Sequence, residues 1–228
     1  KCIQDCSAKA LQFDDEKFPV INEKRCFKCQ HCLAVCPVGA VSVCNKKPEN
    51  SDEILPQNPD MILNLIKSRR SCRHYKQENL NSEKLEKLKS MLRYVPTGVN
   101  FHKLHFAFID DIEVMNEFRD YTNTKIRNAL TIKPVKIIAE KFSRYAKSIV
   151  SGEDILFRGA PHLVVVSAPI NAPCKNVDPF IALSYFELYA NSMNVGTCWC
   201  GLIQYCLQAM PELVDYLGIP DGYKPSYV

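Results

Sequence analysis

The sequence has few glycines and no long hydrophobic run. Only eight of its 228 residues are glycine, and neither a Gly-x-Gly-x-x-Gly nor a Walker phosphate-binding loop occurs. A Rossmann-type dinucleotide fold is therefore unsupported, and any bound phosphate must be held by side chains. No apolar stretch approaches the roughly 20 residues that a membrane-spanning helix needs. These absences argue against a P-loop enzyme and against a helix that crosses a membrane.

The chain also lacks a strong charge of one sign. Its formal net charge is +4, without a long basic run, so nucleic acid is not implied. With 46% hydrophobic and 24% charged residues, the composition is globular. The chain opens with Lys1-Cys2 and not with a basic and then apolar segment, so we expect no secretory leader. Because it has no initiator Met, we also expect it to be a fragment.

Cysteine, in contrast, is abundant and unevenly distributed. Seven of the 12 cysteines lie in the first 44 residues, and the other five are scattered through a much longer stretch. A secreted disulfide-rich domain would spread its bridges through the whole fold. The uneven distribution instead predicts a metal-binding N-terminal region on an otherwise ordinary domain.

The strongest motif is Cys26-x2-Cys29-x2-Cys32-x3-Cys36-Pro37. Thiolates at this spacing are typical of iron–sulfur proteins, in which the fourth cysteine can bind a second cluster. Zinc is the main alternative, but zinc sites usually place two close cysteine pairs on separate loops with a longer gap between them. Three consecutive short steps leave no such gap. We therefore predict iron–sulfur ligation, with free or disulfide-bonded thiols as the remaining alternative.

A shorter motif repeats part of this pattern at a constant offset. The segment Cys2–Ser7 (Cys-x3-Cys-Ser) matches Cys32–Pro37 (Cys-x3-Cys-Pro) 30 residues later. Such a duplication indicates two similar half-sites. By the same offset, counterparts of Cys26 and Cys29 would lie five and two residues before Lys1. We therefore expect the natural protein to begin upstream and to carry both cysteines.

Over about 45 residues this region resembles the bacterial-type two-cluster ferredoxins. The resemblance implies two [4Fe–4S] clusters whose ligands are exchanged between the two half-sites. The first ligand set is Cys6, Cys26, Cys29 and Cys32. The second set is Cys2 and Cys36, completed by the two expected upstream cysteines. Cys44 lies outside both motifs, and we expect it to be packed without binding metal.

We expect three regions along the chain. They are an N-terminally incomplete two-[4Fe–4S] ferredoxin-like domain over residues 1–47, a linker over residues 48–59 and a C-terminally incomplete domain over residues 60–228. The linker is polar and proline-rich, as connections between domains often are. In the last region, helical and strand periodicities alternate, which indicates an α+β or α/β class, and we expect α+β. The predicted helices begin at Asp60, after Asn81-Ser82 and at Pro179, with a further helical stretch over residues 112–150 interrupted near Pro134. The predicted strands are Leu104–Ile109 and Leu163–Ser167.

A basic cluster lies at the C-terminal end of the first predicted helix, with the sequence Arg69-Arg70-Ser71-Cys72-Arg73. Three guanidiniums and a hydroxyl within five residues can hold a phosphate, because arginine forks match phosphate oxygens. Basic residues at a helix C-terminus are also favoured by the helix dipole. Taken alone, the cluster therefore fits a solvated helix cap as well as a phosphate site.

Three further segments carry groups that suit a ligand. Tyr94–Asn100 contains a Pro-Thr-Gly turn and a carboxamide, Gly159–His162 precedes an apolar strand, and Asn194–Gly201 contains Cys-Trp-Cys-Gly with the single tryptophan. Asparagine can pair with donors and acceptors of a planar heterocycle, and glycine lets the backbone come close to a ligand. His102 and His105 could donate protons, but core or strand-facing histidines are commoner.

Taken in order, the basic cluster and these segments resemble the FMN-dependent nitroreductase family over roughly Asp60–Tyr223. The resemblance implies an α+β homodimer with FMN at the subunit interface. Residues matched to the phosphate site are Arg69, Ser71 and Arg73, with Arg70 adjacent. The residues matched to the loop that approaches the flavin from the partner subunit are Pro96, Thr97, Gly98 and Asn100. Residues matched to the isoalloxazine lining are Cys198, Trp199, Cys200 and Gly201.

The combination resembles the fused ferredoxin–nitroreductase proteins of anaerobic microbes. It implies an FMN-dependent oxidoreductase that passes electrons between iron–sulfur clusters and FMN to reduce nitro, quinone or similar acceptors. NAD(P)H or a ferredoxin would be the donor. The alternative is an electron-transfer module that docks a larger redox partner and has no small substrate of its own. No side chain is assigned a catalytic role, because the chemistry belongs to the cofactors.

Overall fold

The computed structural model describes residues 1–51, 55–130, 145, 148 and 151–228. The chain divides into two compact units. The first comprises Lys1–Pro59 and Thr97–Phe101, and the second comprises Asp60–Pro96 and His102–Val228. The loop Thr97–Phe101, which the sequence analysis assigned to the second domain, therefore groups with the first unit.

The first unit consists of short elements around a small core. An antiparallel hairpin turns at Asp14, whose carboxylate accepts hydrogen bonds from the amides of Glu16 and Phe18 at 3.0 and 2.8 Å. The elements are α1 (Cys2–Asp5), β1 (Leu11–Phe13), β2 (Pro19–Ile21) and α2 (His31–Ala34), followed by a 3-10 turn at Pro48–Asn50. The side chains buried in its core cluster are Leu11, Cys32, Val41 and Val43.

The second unit places helices on a three-stranded antiparallel sheet. Its described helices are α3 (Pro59–Ser68), α4 (Ser82–Met91), α5 (Ile112–Leu130), α6 (Asp178–Ser192), α7 (Gly201–Ala209) and α8 (Pro211–Tyr216). Its described strands are β3 (His105–Ile109), β4 (Leu163–Pro169) and β5 (Tyr223–Tyr227). The order β3-β4-β5 puts β4 in the centre, where His105 lies opposite Ser167 and Pro169 lies opposite Tyr223.

Alternation along β3 explains why helices cover both faces of the sheet. Successive strand side chains point to opposite faces. Ala107 and Ile109 join a buried cluster with α5, α7 and α8, in which Phe118 is fully buried. Phe106 and Phe108 pack instead against a second cluster, formed by α4 and α6. The second unit is therefore a three-layer arrangement of helices, sheet and helices.

The described part confirms the secondary structure expected from periodicity. The helix expected after Asn81 is capped by that residue, whose Oδ1 accepts hydrogen bonds from the amides of Glu83 and Lys84. Helices α7 and α8 and strand β5 were not expected. The interruption expected near Pro134 lies outside the described residues. Among the described helices, none is long and apolar enough to cross a membrane.

Candidate functional site

The cysteines of the first unit surround its small core. Cys32 is buried, Cys29 is exposed, and partly buried cysteines pack against the same cluster: Cys2, Cys6, Cys26 and Cys36. All twelve cysteines of the chain lie in the described residues and are free thiols. The disulfide alternative therefore finds no support in the structure.

Backbone amides point at three of these sulfurs. The amide of Ala10 donates to Cys6 Sγ at 3.3 Å, and the amide of Ala40 donates to Cys36 Sγ at 3.2 Å. These two bonds are related by the offset of 30 residues that the sequence shows. Lys9 and Gly39, at the same offset, both have positive φ angles of 49° and 61°. The duplicated motifs thus adopt the same local turn.

The amide of Lys28 makes the third such bond, to Cys26 Sγ at 3.3 Å. A hydrogen bond to the charged form of a group stabilises that form. Accordingly, amides led by that of Ala40 lower the pKa of the Cys36 thiol. Burial raises the pKa of Cys32, and the neighbouring thiols of Cys26 and Cys29 raise it further. Cys32 is thus near enough to Cys26 and Cys29 for its thiolate to be disfavoured by theirs.

In the described part of the chain, no group of three or more His, Cys, Asp or Glu side chains is arranged to hold a metal ion. A mononuclear zinc site draws four ligands to within about 2.3 Å of one atom. An iron–sulfur cubane distributes its thiolates over separate irons, so its ligands lie farther apart. The arrangement of the described thiols therefore shows neither kind of site.

In the second unit, the basic cluster divides into different roles. Arg70 Nη1 donates to the carbonyls of Lys67 and Arg69 at 2.6 and 2.8 Å, so Arg70 caps the end of α3. Arg69 turns inward, and its Nη1 donates to Glu187 Oε1 at 2.9 Å. Arg73 is exposed. The cap interpretation therefore holds for Arg70 but not for Arg69.

The basic cluster lies beside the segment that contains Trp199. The amide of Cys72 donates to the carbonyl of Thr197 at 2.8 Å. Gly196 is required at this approach, because a Cβ there would lie 2.7 Å from Cys72 Cβ. The structure thus brings together two segments that the sequence analysis had matched to one ligand, at residues 69–73 and 198–201.

Trp199 sits in a group of aromatic rings. Its ring is nearly parallel to that of Phe180 at a centroid distance of 6.3 Å and lies 5.3 Å from that of Tyr227. Its Nε1 donates to Glu187 Oε2 at 3.0 Å. Gly201 faces Tyr227, whose hydroxyl would lie 2.9 Å from a Cβ at that position. Gly196 and Gly201 are therefore explained by close contacts within the protein, with Cys72 and with Tyr227 respectively.

The two cysteines flanking Trp199 are partly buried. Cys200 Sγ donates to the carbonyl of Leu156 at 2.7 Å, and burial raises the pKa of the Cys200 thiol. Cys198 Sγ donates to the carbonyl of Trp199 at 3.7 Å. Cys200 is accordingly a protonated, hydrogen-bonded thiol at neutral pH.

The loop containing the other matched residues is placed differently. Thr97, Gly98 and Asn100 group with the first unit, in which Asn100 Nδ2 donates to the carbonyl of Phe27 at 3.0 Å. Pro96 is exposed and ends a segment of the second unit. Three of the four matched residues therefore lie in the first unit, and Pro96 lies in the second, which contains the basic cluster.

Residues 66–228 of the chain match the nitroreductase family. The match covers more than half of the sequence. The chain belongs to the nitroreductase family. This finding confirms the expected enzyme class, an FMN-dependent oxidoreductase, for the domain that the match covers.

Solved structures agree with this nitroreductase fold. A nitroreductase with bound FMN from Bacteroides fragilis is 22% identical, with 73% of this chain and 84% of that chain covered and a TM-score of 0.59. A nitroreductase with bound FMN from Desulfitobacterium hafniense is also 22% identical, with 73% and 85% covered and a TM-score of 0.56. At this identity the likeness shows the fold alone, and it confirms an α+β class for this part of the chain.

A curated relative matches a shorter stretch. Hydrogenase-4 component A of Escherichia coli is 36% identical over 50 residues, which are 22% of this chain. The chain spans about a quarter of that protein, 24% of its length. The activity and partners of the whole protein are therefore proposals.

A cavity of about 460 Å³ lies within the nitroreductase unit. Its lining includes Cys198, Trp199, Cys200 and Gly201. Tyr75 also lines it, with its hydroxyl donating to the carbonyl of Cys72 at 2.8 Å. Burial, together with the nearby thiols of Cys198 and Cys72, raises the pKa of Tyr75. The cavity therefore offers a neutral phenol beside the segment matched to the flavin.

Sequence reasoning missed the residues that connect these segments. Glu187 and Tyr75 belong to none of the quoted motifs, although both contact residues that do. Glu187 lies within a largely apolar helix, and a carboxylate among apolar residues was the signal available in the sequence. His105 was weighed as a proton donor, but burial lowers its pKa, and its ring packs edge-on to Tyr223.

Proposed function

We propose that the protein passes electrons between N-terminal [4Fe–4S] clusters and FMN to reduce nitro, quinone or similar conjugated acceptors, with NAD(P)H or a ferredoxin as donor. The observation that carries this proposal is the set of amide-to-sulfur hydrogen bonds in a unit joined to a nitroreductase domain. Clusters carry single electrons and FMN carries one or two, so together they can connect one-electron and two-electron chemistry. The reducing conditions that such clusters need favour the cytoplasm.

In this proposal the cysteines of the first unit hold the clusters, so that unit is ferredoxin-like. One ligand set is Cys6, Cys26, Cys29 and Cys32. The other is Cys2 and Cys36 with two cysteines expected upstream. The repulsion that Cys26 and Cys29 exert on the Cys32 thiolate supports placing these three cysteines in one set. Bound iron would remove that repulsion, because thiolates are the form that binds metal.

The basic cluster would hold the FMN phosphate. Arg69, Ser71 and Arg73 supply guanidinium and hydroxyl donors, and the Cys72–Thr197 backbone hydrogen bond puts them beside the segment that would line the isoalloxazine. Arg69 retains donors for phosphate, because a guanidinium has five N–H groups and Glu187 occupies one. Pro96, Thr97, Gly98 and Asn100 would approach the flavin from the partner subunit of a homodimer.

The alternative, a module that docks a larger redox partner, is favoured by the surface near the Cys26 motif. Cys29 and Phe27 are exposed there, and so are Lys24, Arg25 and Lys28. A basic rim of this kind would steer an acidic partner toward the cluster ligands. The match to a hydrogenase component is compatible with such a partner.

Anaerobic purification of the full-length protein, with iron, acid-labile sulfide and FMN measured on one sample, tests the proposal. Two clusters require about eight irons with matching sulfide, and we expect one FMN per chain. Zinc without sulfide would contradict the clusters, and clusters without flavin would contradict the flavin site. Unaided turnover of NADH with a nitroaromatic acceptor would favour the enzyme over the docking module.

A further inference from the structure

A buried carboxylate connects the two segments proposed to bind FMN. The Glu187 side chain is 10% exposed and lies on α6, far along the chain from Arg69. Its Oε1 accepts from Arg69 Nη1 at 2.9 Å, and its Oε2 accepts from Trp199 Nε1 at 3.0 Å. Each carboxylate oxygen is thus occupied by a donor from a different segment.

We propose that Glu187 is a positioning residue of the flavin site, which fixes the Arg69 guanidinium and the Trp199 indole relative to each other before FMN binds. This inference rests on the proposed function. A long arginine side chain loses considerable rotamer freedom when it is ordered. An arginine already held by Glu187 pays less of that cost when it binds phosphate, so preorganisation raises affinity.

The surroundings of Trp199 give its position a second constraint. Phe180, also on α6, lies nearly parallel to the indole ring, at an interplanar angle of 5°. Tyr227 of β5 contacts both rings at centroid distances of 5.3 and 5.5 Å. The rings hold the plane of the indole, and the hydrogen bond to Glu187 sets its rotation within that plane.

The test is Glu187→Gln in the full chain, purified anaerobically and stripped of FMN. Glutamine has the same shape but only one acceptor oxygen, so one of the two hydrogen bonds must be lost. We expect FMN to bind about tenfold more weakly, as for one lost charge-assisted hydrogen bond. We also expect the Trp199 fluorescence to shift in the FMN-free protein, where the single tryptophan is the reporter.

Glu212→Gln is the matched control. Its carboxylate pairs with Lys125 at 3.6 Å, and its side chain is 42% exposed in the same unit. This variant should bind FMN and fluoresce like the unaltered protein. Denaturant unfolding of both variants separates a loss of affinity from a loss of folded protein.

Trp199→Phe provides a second, independent variant. If Glu187 acts through both partners, the loss caused by Glu187→Gln should be smaller in the Trp199→Phe background, because the two changes remove a shared hydrogen bond. Unchanged FMN affinity in folded Glu187→Gln, or strictly additive effects, would overturn the positioning role while leaving the proposed function intact. Failure of the unaltered protein to bind FMN would overturn both.

Discussion

The first unit buries only a few apolar side chains beside its cysteines, whereas the second unit buries two apolar clusters on opposite faces of a sheet. Phe13, Phe18 and Val38 of the first unit are all at least 60% exposed. Small domains bury too little surface to be stable on a hydrophobic core alone, and many depend on metal. Side-chain packing therefore stabilises the second unit, whereas the first unit would depend on the clusters proposed for it.

The largest expected effect is the loss of a cluster in Cys32→Ser. Cys32 is the buried member of the proposed first ligand set, and a missing thiolate should release about four irons with their sulfide. Hydrogen exchange should then accelerate in the first unit and stay unchanged in the second. Cys44→Ser is the control, because Cys44 lies outside both motifs and is exposed, so the expectation that it is packed was wrong. Full iron content in Cys32→Ser would refute the ligand assignment.

Phe118→Ala is expected to destabilise the second unit without affecting the clusters proposed for the first. Phe118 is fully buried and contacts the rings of Phe157 and Tyr216. Truncating such a side chain costs about 3–5 kcal/mol, which denaturant unfolding of the second unit should show. Iron content should not change. Phe13→Ala, at an exposed site of the first unit, should alter stability by less than about 0.5 kcal/mol. Loss of iron in Phe118→Ala would contradict the separation of the two units.

A smaller effect is expected for Arg73→Gln on cofactor binding. Removing one guanidinium from the proposed phosphate site should weaken FMN about tenfold and leave riboflavin, which has no phosphate, unaffected. Titration of FMN-free protein with both flavins measures the difference. Lys87→Gln serves as control, since Lys87 is exposed, pairs with Glu83 and does not line the cavity. Equal losses for both flavins would place Arg73 away from the phosphate.

The smallest effect concerns the start of α5. Asp111 accepts hydrogen bonds from Asn79 Nδ2 and from the amides of Glu113 and Val114, and these bonds lower its pKa. Because the folded-state pKa lies below the unfolded value of about 3.9, this stabilisation is present above that pH and is lost as the pH falls through the folded pKa. The stability gap between the unaltered protein and Asp111→Asn should shrink on acidification. A gap independent of pH would show that the charge has no role.

The local sequence pattern was sufficient to predict those helices and strands whose structure depends on short-range interactions. The cap at Asn81 depends on amides two and three residues away, and strands β3 and β4 follow from apolar residues that suit a buried sheet. Strand β5 escaped prediction because it carries Lys224, Pro225 and Ser226. Proline is tolerated on an edge strand, so pairing with β4 determined that segment.

The sequence alone predicted an iron–sulfur site in the first unit and the family of the second. Thiols three or four residues apart must lie near each other in any compact fold, and their spacing carries the prediction of a cluster. Tertiary structure alone decided that Arg69 and Trp199 share Glu187, since Arg69 and Glu187 are 118 residues apart. No local rule relates positions at that separation. The packing of α6 against the rest of the second unit brings them together.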